Sequence, residues 1–219
     1  MDMTGKRFVA SYSGGKDSVL ALHRAIGQGM VPDALIITYN TDKDRSWFHG
    51  IPARVLEDVS RSLQIPVRLI RTSGQAYAEN FRKTLLEQKK NGTEVCVFGD
   101  IDIEGHLEWC TRICEETGIE AYFPLWQQPR EKLVREFISN GYQAHITVVD
   151  TQKLSSRHLG MVLSEETIRS ISAEGADACG ENGEYHTFVS DGPLFTHPVV
   201  FGFGEKIEQD QYEILPLLQ

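Results

Sequence analysis

The sequence predicts an α/β fold built on a doubly wound parallel sheet, and three observations carry that prediction. Short apolar runs alternate with amphipathic helical stretches through the first half of the chain. The first run leads through adjacent glycines straight into a helix. Polar residues and glycines follow other runs where a parallel strand would end, which is the ligand-binding side of such a sheet.

The first run is Arg7-Phe8-Val9-Ala10, followed by Ser11-Tyr12-Ser13-Gly14-Gly15-Lys16-Asp17-Ser18. Val19, Leu20, Leu22, His23 and Ile26 then recur at helical spacing until Gly27 and Gly29. A strand, glycine turn and helix N-terminus suit a polyphosphate. Glycines allow close backbone approach, and the free N–H groups and dipole of the first helical turn favour an anion. Ser13 and Ser18 add hydroxyls and Lys16 a mobile positive charge. Asp17 opposes an anion unless it holds a cation or has a catalytic role. The spacing is not that of a Walker A loop. It resembles the S-G-G-x-D-S signature of the PP-loop ATP pyrophosphatases. That resemblance implies cleavage of ATP between its α and β phosphates and adenylation of a substrate oxygen.

Ala34-Leu35-Ile36-Ile37-Thr38-Tyr39 reads as the second strand, entered through Pro32-Asp33 and ending at Asn40-Thr41-Asp42. The loop 43–50 is either a substrate lid or a partly packed surface loop. A helix from Pro52 to Leu63, a strand over Ile65–Ile70 and a helix from Tyr77 to Lys90 follow. Val95–Phe98 is a strand that runs into Gly99-Asp100-Ile101-Asp102. An aspartate there holds a metal or a ribose hydroxyl, or else caps the helix beginning near His106. Cys110 and Cys114, one turn apart, read as core-face thiols. Pro124-Leu125-Trp126 closes this half, giving expected domains of residues 1–124 and 125–219.

The second half begins with a helix from Arg130 to Asn140 and a strand over Ala144–Val149, in which His145 is a strand histidine rather than a ligand. A helix over Ser164–Ala173 has Ser164 as its N-cap. Cys179-Gly180-Glu181-Asn182-Gly183-Glu184-Tyr185-His186-Thr187 is too polar for a core segment. Glu181 and Glu184 there bind Mg²⁺, accept protons or orient His186, or the stretch is a polar turn before a strand at Thr187-Phe188-Val189. Val199–Phe203 and Tyr212–Leu215 are expected to pair as antiparallel strands around Gly204-Glu205-Lys206.

Composition narrows the function. The net charge is −9, divided as −2 over residues 1–124 and −7 over 125–219, which argues against nucleic acid as the main partner. No apolar run reaches membrane-spanning length, and no signal-peptide pattern opens the chain. The four cysteines form no C-x-x-C pair and no disulfide framework, so reduced thiols and a cytoplasmic setting are expected.

Ser13–Ser18, Phe98-Gly99-Asp100-Ile101, Pro124-Leu125-Trp126, Leu159-Gly160 and Cys179–Thr187 together resemble the diphthine–ammonia ligase family, in its motif order and over nearly the whole chain. The variant resembles bacterial relatives. The resemblance implies a HUP-like nucleotide domain and a second, smaller α/β domain. It also implies a reaction: a carboxylate is adenylated by ATP, and ammonia displaces AMP to leave an amide, with Mg²⁺ as cofactor. By that resemblance Lys16, Asp17, Asp100 and Glu184 are catalytic and Asp17 is the Mg²⁺ ligand. The nucleotide contacts are Ser11, Ser13, Gly14, Gly15, Lys16, Asp17, Ser18, Tyr39, Asn40 and Gly99. The acceptor contacts are Trp126, Glu181, Asn182, Gly183, Glu184, His186 and Thr187.

The expected partners are ATP, ammonia and a carboxylate-bearing acceptor, with a homodimer as candidate assembly and neither membrane nor nucleic acid. Two departures bear on the acceptor: Asn182 stands where the family has glycine, and Ile103–Trp109 replaces an E-Y-Q-R-type segment. One rival reading is a PP-loop tRNA-modifying enzyme of thiolation or lysidine type, which calls for a reactive cysteine and a basic face. The other is a non-catalytic adenine-nucleotide sensor.

Overall fold

The computed structural model describes residues 2–47 and 49–219. In chain order the elements are β1 (Arg7–Ser11), α1 (Lys16–Gly27), β2 (Val31–Asn40), β3 (Arg45–Ser46), α2 (Ala53–Leu63), β4 (Val67–Thr72), α3 (Tyr77–Lys90), β5 (Val95–Val97), α4 (Glu104–Thr117) and β6 (Glu120–Tyr122). They continue with α5 (Arg130–Ser139), β7 (Gln143–Asp150), α6 (Glu165–Ala173), β8 (Tyr185–Asp191), β9 (Gly202–Phe203), β10 (Ile207–Gln209), β11 (Tyr212–Ile214) and β12 (Leu217–Leu218). Two compact units result. One comprises Met1–Ser13, Asp17–Trp47 and Gln64–Gln127; the other comprises Gly14–Lys16, Phe48–Leu63 and Gln128–Gln219. The second unit therefore takes in the two loop glycines and α2, which a contiguous division at residue 124 assigns to the first.

The first unit is the parallel sheet. Strands β4, β2, β1, β5 and β6 lie side by side in that order and parallel, and the two-residue β3 runs antiparallel to the end of β2. Chain order thus reverses between β1 and β5, which is the topological switch point of a doubly wound sheet. β6 is a strand that sequence reading did not foresee; Glu120-Ala121-Tyr122 is only three residues long and opens on a charged residue. Val9, Ile36, Ile70 and Cys96 bring one sheet face against Phe81 and Leu85 of α3 and Cys110, Ile113 and Cys114 of α4. The i, i+3, i+4 spacing on α4 places both thiols on the core face. All four cysteines are free and buried, as expected of packing residues. α4 ends where Gly118 turns left-handed at φ 69°.

The second unit holds an antiparallel sheet in the order β10-β11-β7-β8. Ser164 caps α6 as expected, its Oγ accepting from Thr167 N at 3.1 Å. The tail differs from the sequence reading. β11 pairs with β10 and β7, while Gly202–Phe203 pairs with Leu217–Leu218. The reason is the turn: Asp210, at φ 53°, reverses the chain tightly between β10 and β11, so the nearer run wins the pairing. The buried Asp58 of α2 accepts from Val200 N at 2.8 Å and tethers this segment, and that backbone contact, ahead of the nearby Arg61 and His197, holds its carboxyl below the usual range.

Candidate functional site

In the first unit the residues singled out by sequence gather at the switch point. Ser11 ends β1, and Asp17 and Ser18 open α1. Ser13 Oγ donates to Ser18 Oγ at 3.2 Å. From the neighbouring strand end comes Gly99, where a Cβ would lie 2.9 Å from Asp17 C and Ser18 N. The close approach inferred for Gly99 is thus made by the α1 backbone: only glycine lets the end of β5 meet the helix start. Asp100 follows, half-buried, with its Oδ1 3.0 Å from His106 Nδ1. Burial raises the Asp100 carboxyl above the ordinary aspartate range; His106 opposes that shift and the charge of Asp17 adds to it. Neither Asp100 nor Asp102 is the N-cap of α4, a position held by Ile103 without a side-chain bond.

In the second unit Gly14 and Gly15 are fixed by packing. Gly14, at φ 89°, accepts at its carbonyl oxygen from Val189 N at 2.9 Å, and a Cβ there would strike Ile51 Cδ1 at 2.4 Å. A Cβ on Gly15 would come within 2.7 Å of His49 Cε1. Lys16 is buried; its N–H donates to Thr187 Oγ1 at 3.1 Å, and its Nζ lies 3.4 Å from Glu181 Oε1 and 5.7 Å from the Tyr185 ring centre. One amide expected to face an anion is therefore engaged with Thr187. His49 belongs here too, edge-on to His186 with ring centres 5.3 Å apart. Burial first, and then the charges of His186 and Lys16, push His49 down to about 3 against an opposing hydrogen bond with the Thr187 backbone. The ring is neutral over Gly15, and its buried Nδ1 has no hydrogen-bond partner among the described residues.

The motif at 179–187 is a loop tied to itself. Glu184, 4% exposed, accepts from Asp177 N at 3.1 Å, Asn182 N at 3.0 Å and Asn182 Nδ2 at 3.1 Å. Asp177 accepts from Cys179 N at 2.9 Å and Glu181 N at 3.3 Å. Arg130 Nη1 bridges Asp177 Oδ2 and Asn182 Oδ1 at 2.8 and 2.9 Å, and Lys153 Nζ donates to Asn182 O at 2.8 Å. Gly183, at φ 82°, completes the turn. The two glutamates divide: Glu184 builds the loop and Glu181 faces Lys16. The following strand begins at Tyr185, two residues earlier than expected, and so carries His186 and Thr187 in its first turnless residues.

Other expected contacts have local partners of their own. Tyr39 is fully buried; its hydroxyl donates to Asp44 O at 2.6 Å and Arg71 lies over its ring. Asn40 Oδ1 accepts from Asp42 N and Lys43 N, shaping the turn after β2. Trp126 packs edge-on to Phe123 in the first unit. Sequence reading missed His49, Asp177, Arg130 and Lys153. A histidine beside two aromatics in the 43–50 loop was a usable signal for the first; long-range partners of a polar loop left none for the others.

The comparisons with known proteins agree along the chain. A family model described as the diphthamide synthase N-terminal domain matches residues 6–121, and the model of its C-terminal domain matches 129–211. The chain is 27% identical over 226 residues to a diphthine–ammonia ligase of Rattus norvegicus, covering 92% of this chain and 85% of that one. With the Homo sapiens diphthine–ammonia ligase it shares 25% identity at the same coverage. A solved structure described as a predicted subunit of tRNA methyltransferase from Methanocaldococcus jannaschii aligns at TM-score 0.46 and 17% identity over 84% of this chain and 96% of that one, a likeness too slight to bear on function. With its strand–loop–helix signature at the switch point and both domain models matched in order, the chain belongs to the diphthamide synthase family, a family of ligases.

Proposed function

We propose that this protein is an ATP-dependent, AMP-forming amide ligase that adenylates a carboxylate of the diphthine type and transfers ammonia to it. The observation that carries the reading is the Ser13–Ser18 loop at the switch point of the parallel sheet, with Gly99 and Asp100 delivered by the next strand. In the first step a carboxylate oxygen attacks the α-phosphorus and the bond to the bridging oxygen of pyrophosphate breaks. In the second, ammonia attacks the acyl carbon, AMP leaves, and one proton is released.

Ser13, Ser18 and the backbone of Gly14 and Gly15 are assigned to the pyrophosphate. Lys16 exchanges Glu181 for phosphate oxygens, so that charge developing on the leaving group meets a preplaced cation. Ser11, Asn40 and Gly99 are assigned to the nucleoside side, with Tyr39 holding the turn beside them. Mg²⁺ fits Asp17: this carboxylate opens a helix where negative charge must be offset once phosphates arrive, and its charge already raises its neighbour Asp100. When bound, the ion supplies screening of the phosphate charge. Glu181, His186, Thr187 and Trp126 are assigned to the acceptor, and Glu184, Asn182 and Gly183 hold the loop in shape for them. Four free thiols fit a cytoplasmic setting.

The test is turnover with ATP, Mg²⁺, ammonium and a diphthine-bearing protein. AMP and pyrophosphate formed only when the acceptor is present support the ligase. Tight nucleotide binding without turnover on any carboxylate would favour the sensor reading instead.

A further inference from the structure

The ammonium group of the buried Lys16 marks a place suited to such a group. It lies 3.4 Å from Glu181 Oε1 and 5.7 Å from the Tyr185 ring centre. A carboxylate and a π-face are the two kinds of group that attract a small ammonium ion. All three residues belong to the second unit. The ion pair is loose, since a close charge-assisted bond measures about 2.7–2.9 Å.

The two walls are held independently of the lysine. Glu181 N donates to Asp177 Oδ2 at 3.3 Å, and Arg130 Nη1 in turn donates to that oxygen at 2.8 Å. Tyr185 is buried, and its hydroxyl donates to Ala178 O at 2.6 Å. Gly180 abuts the ring so closely that a Cβ there would come 2.8 Å from Tyr185 Cε1. Lys16, by contrast, ends a flexible four-carbon stem, and the proposed function sends it to the phosphates. Its departure leaves carboxylate and ring in place around the position of an ammonium head.

Charge decides which reactant suits that position. Glu181 repels an acceptor carboxylate and attracts ammonium, the form in which most ammonia exists at neutral pH. A part-buried carboxylate that loses its cation favours a replacement.

We propose that Glu181 and the Tyr185 ring form a subsite for ammonium ion, the source of the transferred nitrogen, which opens when Lys16 moves to the phosphates of ATP. The proposal rests on the ligase reading, which supplies both the movement of Lys16 and the need for ammonia. ATP and ammonium then bind with positive coupling, because each favours the arrangement with Lys16 away from Glu181.

The experiment titrates the whole protein with α,β-methylene-ATP, whose α–β linkage is not cleaved, by calorimetry with Mg²⁺ at constant ionic strength. The salts compared are ammonium, potassium and tetramethylammonium chloride. Affinity should be tightest in ammonium, by at least about fivefold over tetramethylammonium, and the gain should saturate with ammonium concentration. Glu181→Gln should abolish the ammonium dependence. In tetramethylammonium it should bind the analogue at least as tightly as wild type, because Lys16 has lost its rival partner. No effect of ammonium, or an equal effect of potassium, overturns the subsite. Weaker analogue binding by Glu181→Gln in every salt would make that glutamate structural and overturn it too. The wild-type comparison decides the matter even if the variant fails to fold. Analogue binding without ammonium coupling leaves AMP and pyrophosphate release to judge the ligase reading separately. Failure of the analogue to bind at all would strike that reading and the subsite with it.

Discussion

The switch point of the parallel sheet and the loop at 177–187 are both polar, glycine-bearing segments, yet their carboxylates sit in opposite surroundings. In the loop two carboxylates are saturated: three donors reach Glu184, and Asp177 holds two backbone amides and Arg130. At the switch point Asp100 is raised, first by burial and least by the charge of Asp17, with His106 opposing, an arrangement that costs stability. Under the proposed function the difference separates carboxylates that build from carboxylates that act. A motif rich in glutamate is no guide by itself to which kind it contains.

The sharpest break of this comparison is Asp17→Asn. It should lower the rate of pyrophosphate formation by at least about 10²-fold while circular dichroism and melting temperature stay near wild type. Near-normal turnover would return Asp17 to the role of a helix-opening residue. Glu184→Gln should do the reverse. Placing an amide where three donors converge leaves buried groups unmatched, at about 1–3 kcal/mol, or a fall of very roughly 2–10 °C in Tm for a chain of this size. Activity should be lost mainly in step with folding. Rate loss with unchanged melting would move Glu184 to the acting side.

Acid titration sharpens the contrast further. The Asp100 carboxyl is raised in the folded state, so the native protein binds more protons than the unfolded chain between the ordinary aspartate range and the raised one. Asp100 therefore destabilises at neutral pH, and Asp100→Asn should raise Tm there by an amount that shrinks as the pH is lowered. His49 has the other sign. Held down to about 3 from an ordinary value near 6.5, it costs nothing above that ordinary value and withdraws stability as pH falls from it toward 3. His49→Gln should flatten acid destabilisation over that window; an unchanged profile would mean that the ring is solvated. The smallest effect belongs to Asn182→Gly. Losing the side-chain bonds to Arg130 and Glu184 should cost about 1 kcal/mol, measured by urea denaturation, with turnover kept.

Much of the first unit was legible because its signals are local. Apolar runs, helical spacing and capping residues mark β1, α1, β2 and α3 within a residue or a few, and Ser164 announces α6 through a bond three residues away. The glycine loop was legible as an anion cradle, but not the reason for its glycines, since Ile51 and His49 reach it from distant sequence. The separation of Glu181 from Glu184 was illegible for the same reason. It depends on Asp177, Asn182 and Lys16, and only folding decides which carboxylate each meets. The strand pairing of the tail turned on one left-handed residue, Asp210, which the runs on either side do not reveal.

The central claim, adenylation of a carboxylate by the Ser13–Ser18 loop, is tested most directly by the fate of one oxygen atom. With the acceptor carboxylate labelled in heavy oxygen and ammonium and ATP supplied, mass spectrometry of the released AMP should find one labelled oxygen per amide formed. Unlabelled AMP, or ADP and phosphate in its place, would contradict it.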